Sequence, residues 1–145
     1  MLDSGHNPKQ PGALGVRGIY EVIYNDQLTT QIADALRNAG ITVILTRTPT
    51  QQITLNSRAQ IANTNHADLF LAIHHDSAQP KYLEKIISDQ ISSYRSTKPL
   101  SGYSIFVSKL NPQLQNSYMF AKLLGENMLQ LGRTPATYHA ENIPG

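Results

Sequence analysis

The chain has 145 residues, 40% of them hydrophobic and 15% charged, a charge content below the roughly 25% of ordinary soluble domains, which excludes a charge-driven disordered chain. Twelve Lys and Arg against ten Asp and Glu leave a net charge of +2 with no basic stripe of the kind phosphate backbones require, so no nucleic acid is expected as a partner. Cysteine is absent, which removes disulfides, thiol catalysis and Cys-ligated zinc and leaves His, Asp and Glu as the available metal ligands.

The length fits a single domain over residues 1–145. No apolar run approaches the roughly 20 residues of a membrane span, so no membrane span is expected, and the opening Met1-Leu2-Asp3-Ser4-Gly5-His6 is not a secretory signal peptide. In chain order, residues 1–3 read as the end of a strand. They lead into a loop over 4–18 holding four glycines and two prolines; a loop this long in a compact domain is usually functional. Apolar residues at Ile19, Val22, Ile23, Leu28, Ile32, Ala35 and Leu36 predict a helix over 19–39, closed by Gly40. The β-branched run at 41–46 predicts a buried parallel strand.

A second helix is expected over 55–63, with Leu55, Ala59 and Ile61 or Ala62 inward. The apolar run at 67–73 is the strongest strand signal and is expected near the centre of the sheet. Leu83, Ile86, Ile87 and Ile91 suggest an amphipathic helix over 82–94. A strand is expected at 102–108 and a last helix over 113–131, closed by Gly132, with no clear element in 133–145. Short apolar runs alternating with amphipathic stretches predict an α/β fold, an open, mostly parallel twisted sheet with helices on both faces.

Phosphate-loop, nucleophile-elbow and His-Glu-x-x-His patterns are all absent from the sequence. The informative residues are placed instead by the strands. His6 follows the first strand and His74 follows the apolar run, and the carboxyl edge of a parallel sheet is where ligands bind. Glu21 sits in the first turn of the helix after the glycine-rich loop, at that same edge. Two imidazoles and a carboxylate are one protein set for catalytic zinc, which acidifies a water and polarises a carbonyl. His75 competes with His74, but neighbours on a strand point to opposite faces, and His74 is chosen.

The same residues also fit a plainer account, in which His6 is a loop residue, Glu21 stabilises a helix N-terminus and His74-His75 is a polar strand end. The loop over 5–18 is read as a turn-rich substrate loop rather than a phosphate cradle. Arg47 and Arg58 are expected to be structural, tying the strand end to the second helix. Asp76 is a candidate for orienting a histidine from behind. His66 and His139 are read as solvated, and Glu141 as surface.

Five ordered stretches, Leu2-Asp3-Ser4-Gly5-His6, Gly18-Ile19-Tyr20-Glu21, Val43-Ile44-Leu45-Thr46-Arg47, Leu55 to Asn63, and Ala67 to His74, resemble in order the zinc-dependent N-acetylmuramoyl-L-alanine amidases of the amidase-3 type. The likeness is specific to about Asp76 and looser through Ser101 to Ser108 and the last helix. It implies a hydrolase that uses a zinc-activated water on the amide between N-acetylmuramic acid and L-alanine in peptidoglycan, with His6, Glu21 and His74 as the Zn2+ ligands. It further implies work in the cell wall, in the periplasm or outside the cell, with a protein activator as a partner. Residues 79–100 correspond to a short insertion.

The resemblance also implies a general-base glutamate on a late strand, followed by a small residue and Gly. No segment here matches it, and Glu141 lacks the apolar run, so that role is not carried onto Glu141 and the catalytic base is unassigned. The likeness therefore implies a chain cut at both ends, without the last strand of the family fold, and little hydrolysis by the chain alone. A non-catalytic peptidoglycan-binding module is the alternative.

Overall fold

The structure is a computed structural model and describes residues 1–88, 91–97 and 100–136. The fold is mixed α/β, with β1 (Leu2–Ser4), α1 (Glu21–Asn38), α2 (Leu55–Thr64), β2 (Leu71–Ile73), a 3-10 turn (Pro80–Tyr82), β3 (Leu83–Ser88), β4 (Ile91–Ser96) and α3 (Leu114–Gln130). The chain packs as two compact units. One comprises Met1–Ser77 with Glu84–Arg95, the other Ala78–Leu83 with the described part of Ser96–Gly145.

In the first unit β1 and β2 run parallel, in the register Leu2 to Leu71, Asp3 to Ala72 and Ser4 to Ile73. The pairing extends upstream, where the Met1 ammonium donates to the Leu69 carbonyl at 2.7 Å. On its other edge Leu2 bridges Leu45, with Leu2 N to Ile44 O at 2.9 Å and Thr46 N to Leu2 O at 3.1 Å. The expected strand at 41–46 is thus reduced to one parallel bridge. Among the described residues, β1 rather than the 67–73 run is the segment flanked on both sides. Consistent with that, Leu2, Asp3 and Ser4 are all buried, whereas Leu69 and Phe70 are exposed.

Side chains alternate across a strand, and β1 uses this to seat one helix on each face. The Ser4 hydroxyl meets Asp26 of α1 at 2.5 Å, and the Asp3 carboxylate meets Arg58 of α2 at 2.5 Å. Helix α1 buries Val22, Asn25, Thr29 and Ala33, a stripe with the 3.6-residue period, and packs on both β1 and β2. Its C-terminus is set by Gly40 at φ +81. Gly40 N reaches Arg37 O at 2.9 Å and Ile41 N reaches Leu36 O at 3.0 Å, the Schellman arrangement that needs a left-handed residue. Helix α3 closes the same way at Gly132, as expected.

One expected element is corrected. The described residues of 83–94 form no helix; 83–88 and 91–96 pair as a two-stranded sheet, with Glu84 and Arg95 in an ion pair. The apolar spacing fits both periods, and β-branched Ile86 and Ile87 with a serine-rich sequence decide for extended backbone. In the second unit the expected strand at 102–108 is a single bridge, Tyr103 N to Thr134 O at 3.1 Å and Ala136 N to Tyr103 O at 2.8 Å. Among the described residues no helix is long and apolar enough to cross a membrane. His139 and Glu141 lie outside the described residues.

Candidate metal centre

His6 leaves the end of β1 with φ +64, a left-handed conformation that costs a non-glycine residue about 1 kcal/mol or more. Two buried arginines hold it there. Arg47 Nε donates to the His6 carbonyl at 2.9 Å and Arg58 Nη2 to the same oxygen at 2.6 Å. Both also grip the preceding turn, Arg47 through the Gly5 carbonyl at 3.2 Å and Arg58 through the Ser4 carbonyl at 2.8 Å. The structural role expected of both arginines is what is seen, and Arg47 completes it with Asp26 at 2.7 Å.

The His6 ring is oriented by Nδ1, 3.1 Å from the Gln10 carbonyl. A carbonyl only accepts, so Nδ1 carries the hydrogen, and in the neutral ring Nε2 presents a lone pair. That nitrogen lies 3.1 Å from Glu21 Oε2. Two acceptors at this separation need a cation between them, a proton or a metal ion.

Glu21 opens α1 and is 5% exposed. Its backbone N donates to Ala13 O at 2.8 Å, and the Ala13 amide donates back to Glu21 Oε2 at 3.3 Å, which pins the glycine-rich loop against the carboxylate. Oε1 accepts from Asn25 Nδ2 at 3.2 Å and from the His75 amide at 3.1 Å, and lies 3.1 Å from His74 Nδ1. Burial by itself would push the carboxyl up. The bonds from His74, Asn25 and the Ala13 amide, with the charge of His6, outweigh it and hold the pKa down at about 2.

His74 follows β2 directly. Its pKa is raised above 6.5, first by the hydrogen bond to Glu21, against the opposing effect of burial, and further by the charges of Glu21, Asp76 and Asp3. These shifts fix the sign of the pH dependence. Glu21, depressed in the fold, stabilises the metal-free chain fully above about 4.5, and this is lost as pH falls towards 2. His74, raised in the fold, contributes fully below 6.5 and loses its contribution as pH rises through its folded value. Metal-free melting curves of wild type and His74→Ala should therefore differ most below pH 6.5 and converge in alkaline buffer. A gap that widens with pH contradicts the assignment.

Ligand atoms of His6, Glu21 and His74 all lie within 4.8 Å of one another. Ligands bound at about 2.0–2.1 Å in a tetrahedral site stand about 3.3 Å apart, close to the 3.1 Å between His6 Nε2 and Glu21 Oε2, while His74 Nδ1 stands 3.1 Å from the other oxygen, Oε1. Room for an ion is kept by glycine. A Cβ on Gly12 would lie 2.7 Å from both Glu21 Oε2 and His6 Nε2, and one on Gly5 would run into the His74 ring. Charge, donor set and space therefore fit a divalent cation.

The structure thus brings together the three residues selected at the strand ends. The His75 ring lies further along α1, its Nδ1 2.8 Å from Asn25 Oδ1 and its centroid 5.8 Å from that of Tyr24. Asp76 acts on His74 through its charge. Asn25 was missed, although its signal was present: it lies four residues after Glu21, one turn along the same helix face.

A family model described as N-acetylmuramoyl-L-alanine amidase matches residues 1–143. A sporulation-specific N-acetylmuramoyl-L-alanine amidase of Bacillus subtilis (strain 168) is 37% identical over 107 residues, 67% of this chain and 40% of that protein. The amidase AmiA of Salmonella typhimurium is 41% identical over 76 residues, 52% of this chain and 26% of that protein. Among solved structures, the amidase AmiC2 of Nostoc punctiforme superposes with a TM-score of 0.61 at 25% identity, covering 89% of this chain and 59% of that one. The catalytic domain of the amidase CwlV of Bacillus (Paenibacillus) polymyxa var. colistinus gives 0.52 at 27% identity, covering 58% and 48%. The chain therefore spans well under two thirds of the length of the curated relatives named here.

Proposed function

Because the chain belongs to the N-acetylmuramoyl-L-alanine amidase family, we propose that it is a zinc-dependent hydrolase domain acting on the amide between N-acetylmuramic acid and L-alanine in peptidoglycan, with His6, Glu21 and His74 as the zinc ligands. The observation that carries this is the facing pair of acceptors, His6 Nε2 and Glu21 Oε2, at 3.1 Å.

Zinc, when bound, supplies a Lewis acid that polarises the scissile carbonyl and acidifies water. The chain's own residues supply the rest. The Gln10 carbonyl keeps the His6 lone pair on Nε2, the ring nitrogen facing Glu21. Glu21 stays ionised down to about pH 2, so its charge is available at any physiological pH. Asp76, whose negative charge is felt at His74, is the residue we assign to orienting that ring. A cleft of about 790 Å3 opens on His6 and His74, with Gln10, Pro11 and Gly12 on its loop side and Ile53, Leu55 and Phe70 among its apolar residues. Such a mixed lining suits a ligand that joins amide groups to methyl groups, as the lactyl–alanine junction does. We assign the proton-accepting role to none of the described residues.

We place its work in the cell envelope, periplasmic or extracellular, with peptidoglycan as the macromolecular partner and a protein activator as a second. Residues 79–100, which hold the β3–β4 pair, are the insertion of this domain. Metal analysis of the purified chain should find one zinc. On purified peptidoglycan, any new L-alanine amino termini should vanish when zinc is removed by a chelator. A chain that holds no zinc, or releases alanine termini without it, overturns the proposal. Zinc binding with retention on insoluble peptidoglycan and no new termini favours a peptidoglycan-binding module instead.

A further inference from the structure

Asn25 is the largest side chain in the described structure that is wholly buried, at 0% exposure. Its amide makes three bonds, and each goes to a different segment of the metal centre. Nδ2 donates to Glu21 Oε1 at 3.2 Å and to the Gly5 carbonyl at 3.2 Å. Oδ1 is 2.8 Å from the His75 ring Nδ1. Glu21 is itself a ligand, Gly5 precedes the ligand His6, and His75 follows the ligand His74. Three chain segments far apart in sequence thus meet on one side chain.

The two Nδ2 acceptors, a carbonyl and a carboxylate, cannot donate, so the orientation of the amide is fixed and Oδ1 must face His75, whose Nδ1–H is the donor. Movement of one ligand-bearing segment relative to the others strains a bond to a side chain that is itself wholly buried. From this, and resting on the zinc reading above, we propose that Asn25 is a positioning residue of the metal centre, setting the separation of the three ligands before the ion arrives.

Positioning predicts a loss of metal affinity separable from a loss of fold. Residues that orient ligands from behind typically contribute 10–100-fold in affinity, and that range is expected for Asn25→Ala. The test is zinc affinity by competition with a chromogenic chelator, together with the visible spectrum of the cobalt(II)-loaded chain and metal-free melting curves. Wild type, Asn25→Ala, the near-isosteric Asn25→Leu and Glu21→Gln are compared in parallel. The expected result is weakened zinc binding and a changed cobalt spectrum in both Asn25 variants while their metal-free chains still melt cooperatively.

Wild-type affinity and an unchanged cobalt spectrum in a folded Asn25 variant overturn the positioning role alone. If neither variant folds without metal, the role is also overturned, since Asn25 then holds the fold rather than the site. A wild type that binds no zinc, or binds it as well after Glu21→Gln, sinks the underlying metal reading instead.

Discussion

On the zinc reading proposed above, replacing Glu21 or His74 should abolish tight zinc binding, with different consequences for the fold. Glu21→Gln and His74→Ala are each expected to weaken zinc by more than the 10–100-fold typical of a residue behind a ligand. The side chain of His74 is 43% exposed, so truncating it leaves little unsatisfied. The variant should melt close to wild type in alkaline metal-free buffer, where its contribution through Glu21 has faded. Glu21 is different. Its two oxygens accept from Asn25 Nδ2, the His75 amide and the Ala13 amide, and a glutamine must turn its own NH2 towards one set of these donors. At least one buried donor is then left unpaired, at about 1–3 kcal/mol. Glu21→Gln should therefore lose both zinc and stability, and His74→Ala mainly zinc, as read by chelator competition and by metal-free melting. Unchanged zinc affinity in His74→Ala would remove that residue from the site.

Much of this centre was legible because it depends on local rules. His6 and His74 are visible as strand-end residues and Glu21 as a first-turn helix residue, and the geometry of parallel sheets brings those ends to one edge. Arg47 and Arg58 were legible as structural, though not that both would converge on the carbonyl of His6. What escaped depends on tertiary context. The left-handed backbone of His6 is imposed by those two arginines, from positions 41 and 52 residues away, and no local pattern signals it. The 83–96 region carries an apolar spacing compatible with a helix, and only the preference of its isoleucines and serines for extended backbone separates the two. Among the described residues the run at 67–73 pairs through β2 with β1 alone, and its apolar content serves the site as well as the core, because Phe70 opens onto the cleft.

The largest effect on stability is expected at Arg58. Its Nη1 lies 2.5 Å from Asp3 Oδ1 and 2.8 Å from the Ser4 carbonyl, and its Nη2 lies 2.6 Å from the His6 carbonyl. Asp3 is 2% exposed, and its other side-chain donor is the Thr46 hydroxyl. Arg58→Ala leaves that carboxylate charged in a buried place, and removing one partner of a buried pair costs about 3–5 kcal/mol against the 5–15 kcal/mol that holds a typical domain together. Arg58→Lys keeps a charge but loses the planar fork that reaches a carboxylate and two carbonyls at once, so its loss should be intermediate. Arg58 Nε is itself buried without a hydrogen-bond partner, a desolvation cost the native pair does not recover. Asp3→Ala in the Arg58→Ala background should therefore restore part of the lost stability rather than add to the damage. Urea denaturation of the metal-free chain measures all three, and a loss below about 1 kcal/mol in Arg58→Ala, the range of an exposed pair, would contradict a buried clamp. Because Arg47 still holds the His6 carbonyl at 2.9 Å, those Arg58→Ala molecules that stay folded should bind zinc better than Glu21→Gln does, which separates the clamp beneath the site from the ligands within it.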